Sequence, residues 1–202
     1  MVLLAATCPL CASAGPSPCP ECALALRPAA PLPPPPGVDR CLALLAFEGA
    51  GADLVARVKY RNQRASLPGL GRAMAAQAAA VGGTQASVVT WIPTTSRRIR
   101  ERGFDHGRLL AGHVARALGV PCRRLLVRDD GPPQTGRSRA ERLAGPRLRP
   151  VRTVSGRVLA VDDVVTTGAT ASAAAAELTR AGAAEVWILA AARRSPQGHY
   201  GT

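Results

Sequence analysis

The sequence is poor in aromatic residues and in long apolar runs. Only six of its 202 residues are Phe, Trp or Tyr, which argues against a module that stacks bases on aromatic side chains. No apolar run reaches the roughly 18 residues that cross a bilayer, so we expect no membrane span. The hydrophobic share of 47% is nevertheless sufficient for a core. The length suits one compact domain with a small appendage.

The amino terminus lacks the basic segment of a secretion signal. Its apolar start is also interrupted by cysteines, which a signal peptide would not contain at this point. We therefore predict that the protein is not exported and is cytoplasmic.

Lysine is almost absent, because Lys59 is the single one and arginine supplies the other 25 of the 26 positive charges. The abundance of arginine fits the codon bias of a GC-rich genome. Residues 97–152 hold 15 arginines and five acidic residues, which gives +10 of the total net charge of +13. Such a stretch suits pyrophosphate, a phosphorylated sugar or single-stranded DNA. A solvated basic face is the alternative.

Four of the six cysteines form two CxxC pairs separated by seven residues: Cys8, Cys11, Cys19 and Cys22. Two such turns can bring four thiolates into the tetrahedral arrangement of structural zinc, so we predict a four-cysteine zinc knuckle over residues 1–27. A redox pair, a disulfide or a degenerate site are the alternatives. We expect Cys41 and Cys122 to be small buried residues.

A proline-rich segment, residues 28–40, separates the cysteines from the rest of the chain. It includes four consecutive prolines and is predicted to form a stiff spacer. We predict one main domain over residues 41–195 and a flexible tail over 196–202.

The main domain alternates between apolar runs and helical periodicity. The predicted strands are 41–47, 87–92, 123–127, 157–161 and 185–191. The predicted helices are 52–60, 67–81, 104–118 and 169–181. The arginine-rich residues after the second strand and the whole of 128–150 are predicted as loops. This order predicts an α/β fold with a parallel sheet, which binds ligands at the carboxyl ends of its strands.

The most informative stretch is 158–170. Four apolar residues predict a buried strand, Asp162 and Asp163 follow at its end, and a loop rich in Thr and Gly leads into a helix. The unpaired N–H groups at the start of that helix form an anion site. The two carboxylates suit ribose hydroxyls and the shell of Mg²⁺. The stretch therefore predicts a sugar-phosphate site, and an acidic strand end that caps a helix is the alternative.

This stretch is similar, position by position, to the 5-phosphoribosyl-1-pyrophosphate (PRPP) motif of type I phosphoribosyltransferases. The wider order of motifs resembles the ComF family of competence-associated, phosphoribosyltransferase-like proteins over essentially the whole chain. That order is CxxC…CxxC, Lys59-Tyr60, Trp91-Ile92-Pro93, Arg102-Gly103-Phe104 and the acidic pair. The resemblance implies a type I phosphoribosyltransferase-like parallel sheet flanked by helices, with a small amino-terminal zinc knuckle.

The resemblance also implies roles for individual residues. Asp162 and Asp163 would be catalytic and would meet the ribose hydroxyls and Mg²⁺. The 5-phosphate would be bound by Thr166, Thr167, Gly168, Ala169 and Thr170. The pyrophosphate loop would consist of Thr94, Thr95, Ser96 and Arg97. A mobile loop would carry Gln134, Arg137 and Arg142.

The chain departs from the family's usual Arg-Gly-Phe-Asn-Gln after Phe104, where it has Asp105 and His106. The Asn that usually follows the loop arginine is also replaced, near Gly145. We expect surface or packing roles for His106 and for His113, which lies seven residues further along the same predicted helix.

Three functions fit these observations. The protein is a phosphoribosyltransferase that acts on an unidentified nucleobase-like acceptor, or it senses PRPP or nucleotides without turnover in support of DNA uptake or recombination. In the third interpretation the zinc knuckle binds single-stranded DNA and the α/β domain is a scaffold. A homodimer or a protein of the competence machinery would be the expected protein partner.

Overall fold

A four-stranded parallel sheet organises the main part of the chain. The computed structural model describes residues 7–60, 64–129 and 146–195. The strands are β1 (Arg40–Ala46), β2 (Val88–Trp91), β3 (Leu126–Arg128), β4 (Leu148–Pro150), β5 (Arg157–Val165) and β6 (Glu185–Arg193). The α-helices are α1 (Pro20–Leu24), α2 (Gly49–Tyr60), α3 (Leu67–Ala79), α4 (Ser96–Arg102), α5 (His106–Leu118) and α6 (Ala169–Arg180). Two short 3-10 helices span Arg64–Ser66 and Gly83–Gln85.

The sheet has the strand order β1-β6-β5-β2, and all neighbours are parallel. The central strands are apolar on both faces, as expected for a sheet covered by helices on both sides. One face packs against α2, α3 and α5 through residues such as Leu54, Met74 and Leu110. The opposite face packs against α6 through residues such as Ala174 and Leu178. The predicted parallel sheet flanked by helices is therefore confirmed.

The arginine-rich segment after β2 was predicted to be a loop, and this prediction is wrong. Residues Ser96–Arg102 form α4, a short helix that begins where the Thr95 hydroxyl accepts a hydrogen bond from the Arg98 amide. The helix ends at Gly103, whose φ of +75° is favourable for glycine. The segment has no apolar periodicity, so its helical start and stop signals were the only indication of a helix.

Strand β5 is longer than predicted. The sequence indicated a strand that ends at Val161, but β5 continues to Val165 and includes both acidic residues. Its last part pairs with β6, where Asp162 lies opposite Ala190. The hydrogen bonds of a buried neighbour therefore extend the strand through Asp162 and Asp163, which have low intrinsic β propensity.

The long arginine-rich segment begins and ends in a second, small sheet. Strands β3 and β4 pair antiparallel, with Val127 opposite Arg149. The predicted strand at 123–127 is thus displaced by a few residues, and part of the predicted loop is strand β4. Gln134, Arg137 and Arg142 lie outside the described residues.

The proline-rich segment packs along the edge of the main sheet. Pro28 forms an isolated bridge with Leu45 of β1. The guanidinium of Arg193 donates to the carbonyl oxygens of Leu32 and Pro33, at 3.1 and 2.6 Å. These contacts hold the segment against the carboxyl ends of β1 and β6.

The helices in the described ranges have at most 13 residues. None of them combines the length and apolar character that crossing a bilayer requires.

Helix α3 approaches α5 closely at Gly71. A Cβ atom added at Gly71 would overlap the Cβ of His113 and lie 3.2 Å from its carbonyl carbon. We predict that Gly71→Ala lowers the stability by about 1–3 kcal/mol despite the better helix propensity of alanine, because the two helices must move apart. Thermal denaturation followed by circular dichroism measures the effect.

Gly112→Ala in α5 is the matched control, since nothing lies within 4 Å of its added Cβ. This variant should be as stable as the parent or more stable by about 0.5–1 kcal/mol. A stabilising effect of both substitutions would contradict the close packing of α3 on α5.

Candidate functional site

The candidate site lies where β2 stops and β5 continues. Strand β2 ends at Trp91, opposite Val161, and Pro93 follows, which cannot donate to a sheet. The last residues of β5 therefore face a cavity of about 350 Å³ instead of a neighbouring strand. The cavity is lined by Phe47, Lys59, Ile92, Pro93, Thr94, Arg98, Arg102, Asp105, His106, Gly107, Arg128, Asp162, Asp163, Val164, Thr166 and Thr170.

The two adjacent carboxylates of β5 have different surroundings. Successive side chains of a strand point to opposite faces of the sheet. Asp162 borders the Thr/Gly loop that precedes α6, and its Oδ1 accepts the amide of Asp163 at 2.8 Å. Asp163 lies on the face that is covered by α2 and α5. Asp162 therefore belongs to the surroundings of the Thr/Gly loop, and Asp163 to those of α2 and α5.

Two side chains contact Asp163, and a third contacts one of them. The Nζ of Lys59 lies 2.9 Å from Asp163 Oδ1, and His106 Nε2 is hydrogen-bonded to Asp163 Oδ2. On its other side, His106 Nδ1 lies 3.3 Å from Nη1 of Arg102. A guanidinium can only donate, so we assign Nδ1 as the acceptor and Nε2–H as the donor to the carboxylate. Both oxygens of Asp163 are thus held from opposite sides.

These surroundings move the two carboxyl pKa values apart. Burial, together with the negative charge of Asp163, raises the pKa of Asp162 to about 7. Burial acts in the same direction on Asp163, but the hydrogen bond from His106 and the charge of Lys59 outweigh it and lower its pKa to about 2. At neutral pH Asp163 is ionised, whereas Asp162 is poised to lose its proton when a cation approaches.

The five residues predicted to bind a 5-phosphate form the end of a loop and the start of α6 beside Asp162. Gly168 precedes α6 with φ +82°, and Thr167 Oγ1 accepts the amide of Ala169 at 3.4 Å. Thr166 and Thr170 line the main cavity, and the same loop encloses a further space of about 20 Å³. A Cβ at position 168 would come within 2.8 Å of Pro35, so this loop and the proline-rich segment fit together only with glycine there.

The predicted pyrophosphate loop lies on the opposite side of the cavity. Thr94 lines the cavity, and Thr95 caps α4. Arg97 instead forms an exposed ion pair with Glu101 at 2.6 Å and does not line the cavity. Arg98 does line it. Ser96 borders the neighbouring groove described below.

Sequence reasoning did not assign functional roles to Lys59, Arg102 or His106. His106 was expected to have a surface or packing role; it is buried, and it also contacts Asp163. The neighbouring Asp105 caps α5 by accepting the Arg108 amide at 3.1 Å. The available signal for Lys59 was its rarity, since a single lysine among 26 basic residues indicates a position that arginine does not fill.

The four cysteines of the two CxxC pairs come together as predicted. Their sulfur atoms all lie within 4.8 Å of one another, and Cys11 Sγ is 3.7 Å from Cys19 Sγ. Tetrahedral zinc with Zn–S bonds of about 2.3 Å requires sulfur separations of about 3.8 Å. Neither CxxC pair forms a disulfide. The set is therefore positioned to hold a metal ion, and its chemistry is that of zinc.

The ionisation of these thiols is uneven. Burial raises the pKa of Cys8, but backbone N–H groups of Cys19, Cys11 and Leu10 outweigh it and lower the pKa to about 6. The neighbouring Cys19 thiol is the main cause that raises the pKa of Cys22 to about 12. A divalent cation would stabilise all four as thiolates.

A second, larger concavity of about 1000 Å³ adjoins the candidate site, and we name it the basic groove. It shares Pro93, Thr94, Asp105 and Arg128 with the first cavity. Three further arginines of α5 and the β3 region line it: Arg108, Arg116 and Arg124. Asp105 is the one carboxylate among the groove's described lining residues, and it is engaged in capping α5.

Cys122 also lines the basic groove and is exposed, so the expectation that it is buried is wrong. It bridges to Val89 at the open edge of β2, where no further strand of the main sheet covers it in the described part of the chain.

No protein-family profile and no curated protein matches the sequence. Solved structures that resemble it include "glutamine phosphoribosylpyrophosphate (PRPP) amidotransferase from B. subtilis complexed with ADP and GMP" (31% identity, TM-score 0.45, 62% of this chain and 26% of that chain). A second is the "allosteric regulatory enzyme of purine biosynthesis" (29% identity, TM-score 0.44, 62% of this chain and 25% of that chain). A third is the purine phosphoribosyltransferase from Pyrococcus horikoshii (17% identity, TM-score 0.38, 65% of this chain and 91% of that chain). The chain spans about a quarter of the length of the first two.

The raised pKa of Asp162 predicts that Asp162→Asn stabilises the protein at alkaline pH. The unfolded carboxyl releases its proton near its ordinary pKa of 3.8, whereas the folded one keeps it up to about pH 7. Stability is therefore lost as the pH rises from about 4 to 7, and the loss persists above pH 7. Asn keeps the acceptor for the Asp163 amide and carries no charge.

In metal-free buffer, we expect Asp162→Asn to be more stable than the parent by about 1–3 kcal/mol at pH 8 and equal to it near pH 4. Denaturant unfolding at both pH values measures the difference. Asp53→Asn, at an exposed position of α2, makes the same chemical change away from the cavity and is the control. A lower stability of Asp162→Asn at pH 8 would refute the assignment.

Proposed function

We propose that this protein binds PRPP with Mg²⁺ and transfers its phosphoribosyl group to a nucleobase-like acceptor, with release of pyrophosphate. The observation that carries the proposal is the position of Asp162 beside the Thr166–Thr170 loop, at the carboxyl end of a parallel strand and in one cavity. A sugar phosphate needs this combination, because the loop satisfies the phosphate and the carboxylate satisfies the hydroxyl groups or a cation.

The 5-phosphate would bind at the start of α6. Backbone N–H groups of a helix N-terminus favour an anion, and the hydroxyls of Thr166 and Thr170 supply further donors. Gly168 gives the loop the positive φ with which it enters α6 and leaves room for Pro35 beside it.

The pyrophosphate would lie across the cavity, near Thr94 and Arg98. Lys59, Arg102 and Arg128 also line this space, so several positive charges face the position of the leaving group. Mg²⁺, when bound, supplies further neutralisation of the pyrophosphate charge. Asp162 and the ribose hydroxyls would hold the Mg²⁺ ion. The raised pKa of Asp162 fits a carboxyl that ionises when a cation arrives.

In the reaction, the bond between ribose C1 and the pyrophosphate oxygen breaks, and its electron pair leaves with pyrophosphate. A nitrogen of the acceptor forms the new bond to C1 and gives up its proton. The residues of this chain would orient the sugar and stabilise the developing charges. Asp163, fixed by Lys59 and His106, would present a carboxylate that is ionised at neutral pH to the ribose side of the cavity.

Calorimetric titration of PRPP with Mg²⁺ tests the binding. We predict that Asp162→Asn weakens binding at least about tenfold, because it removes a charge that contacts the ligand directly. The exposed Asp53→Asn makes the same chemical change away from the cavity and should bind as the parent does. Equal affinity of all three proteins would overturn the site assignment.

Pyrophosphate release in the presence of a panel of nucleobases tests turnover. PRPP binding without release over a broad panel would favour a sensor of PRPP or nucleotides. The order of motifs described from the sequence supports a place in the ComF family and a role in DNA uptake or recombination.

Binding of single-stranded DNA is a second candidate function, and the basic groove is the observation that favours it. Arg108, Arg116 and Arg124 line a groove whose described part contains one carboxylate. The small number of aromatic side chains favours contacts to the phosphate backbone over base stacking.

We predict that Arg116→Gln with Arg124→Gln weakens binding of an unstructured oligonucleotide and lowers the slope of log K against log salt by about 1–2. Fluorescence anisotropy at several salt concentrations measures both quantities. Arg180→Gln in α6, where Arg180 pairs with Glu177, removes a comparable charge away from the groove. Unchanged affinity of the double variant, or binding that is insensitive to salt, would count against the groove.

A further inference from the structure

Two hydrogen bonds connect residues 7–27, which we name the cysteine segment, to the α/β domain. Arg57 Nη1 donates to the carbonyl oxygen of Pro9, at 2.8 Å. The hydroxyls of Ser17 and Ser66 lie 2.6 Å apart, and Ser66 is fully buried. Pro9 lies inside the first CxxC pair, and Ser17 lies two residues before the second. Each CxxC turn therefore has its own contact with the domain.

Both contacts involve elements that are connected to the partners of Asp163. Arg57 is in the last turn of α2, two residues before Lys59, which holds Asp163 Oδ1. On the other side, Ser66 ends the short helix that begins at Arg64. The Arg64 guanidinium lies 4.2 Å from the ring of Phe104, two residues before His106, which holds Asp163 Oδ2.

Arg57 does not line the cavity, whereas Lys59 does. Successive residues of an α-helix are rotated by about 100°, so residues two apart point to nearly opposite sides of the helix. Arg57 thus reaches the cysteine segment and Lys59 reaches the cavity from the same turn. Pro9 and Lys59 are thus connected through a single turn of α2.

We propose that the cysteine segment sets the geometry of the Asp163 centre, with Arg57 as a positioning residue that acts through Lys59. When the four cysteines hold a metal ion, the carbonyl of Pro9 is fixed between two ligands and anchors the end of α2. Occupancy of the cysteine site and affinity of the cavity for an anionic sugar ligand are then coupled, and the coupling is reciprocal. The identity of that ligand as PRPP rests on the proposed function.

The first experiment is a double-mutant cycle on Arg57 and Lys59, measured by calorimetry of Mg²⁺ and PRPP. Arg57→Met keeps the stem of the side chain and removes the donor. We expect it to weaken binding about three- to tenfold while the metal content stays equal to that of the parent, since one charge-assisted hydrogen bond is lost. In a Lys59→Met background the same substitution should have little further effect.

Arg72→Met is the matched control for charge. Arg72 is exposed on α3 and lines a further groove, which also includes Ser17 of the cysteine segment. The Arg72→Met variant should bind PRPP as the parent does. An equal loss from Arg57→Met in both Lys59 backgrounds, or an equal loss from Arg72→Met, would overturn the proposal.

The second experiment needs no ligand. Hydrogen–deuterium exchange should be faster in Arg57→Met than in the parent over the end of α2 and over the start of α3, and unchanged in α6. Removal of the metal by a chelator should give the same pattern, and Arg72→Met should not. Unchanged exchange at the end of α2 would overturn the coupling. If the parent protein fails to bind PRPP, the proposed function fails, and the exchange experiment still decides the coupling.

Discussion

The ion pair between Lys59 and Asp163 is the interaction on which the candidate site depends. It joins the end of α2 to the last part of β5, two elements that are far apart in the sequence. The lysine side chain is 18% exposed and the aspartate 21%, so the charges are partly desolvated and their separation matters more than at the surface. With His106 on the second oxygen, the carboxylate has little freedom to rotate. The Asp163 side of the cavity is therefore built before any ligand enters, which lowers the ordering cost of binding.

The same pair accounts for the different behaviour of two adjacent aspartates. One strand presents Asp162 and Asp163 to opposite faces, and each face supplies its own electrostatics. Asp163 meets the ammonium group of Lys59 from α2 and the Nε2–H group of His106 from α5. Asp162 borders the Thr/Gly loop and accepts the Asp163 amide. A motif that reads as two equivalent acids thus becomes one fixed charge and one titratable group.

The fold was largely predictable because its signals are local. The apolar run at 158–161 and the Thr/Gly loop before α6 indicate a strand, a turn and a helix without reference to distant residues. Helix α4 was missed because its residues are mostly arginine, so it has no apolar face that would reveal the helical period. The extension of β5 was missed because it depends on hydrogen bonds from β6, which the sequence of β5 does not contain. The partners of Asp163 are harder still to predict, since no sequence pattern links Lys59 or His106 to a carboxylate far along the chain.

The contact between Pro35 and Gly168 has a consequence for how the sequence can vary. The proline-rich segment has the composition of a spacer, yet Pro35 occupies the space that a side chain at position 168 would need. The two positions are therefore constrained together: a larger residue at 168 requires a smaller or displaced residue at 35. Removal of the chain up to and including the prolines would take away one wall of the loop before α6. The boundary that composition indicates thus differs from the boundary of the unit that can be transplanted or shortened without loss.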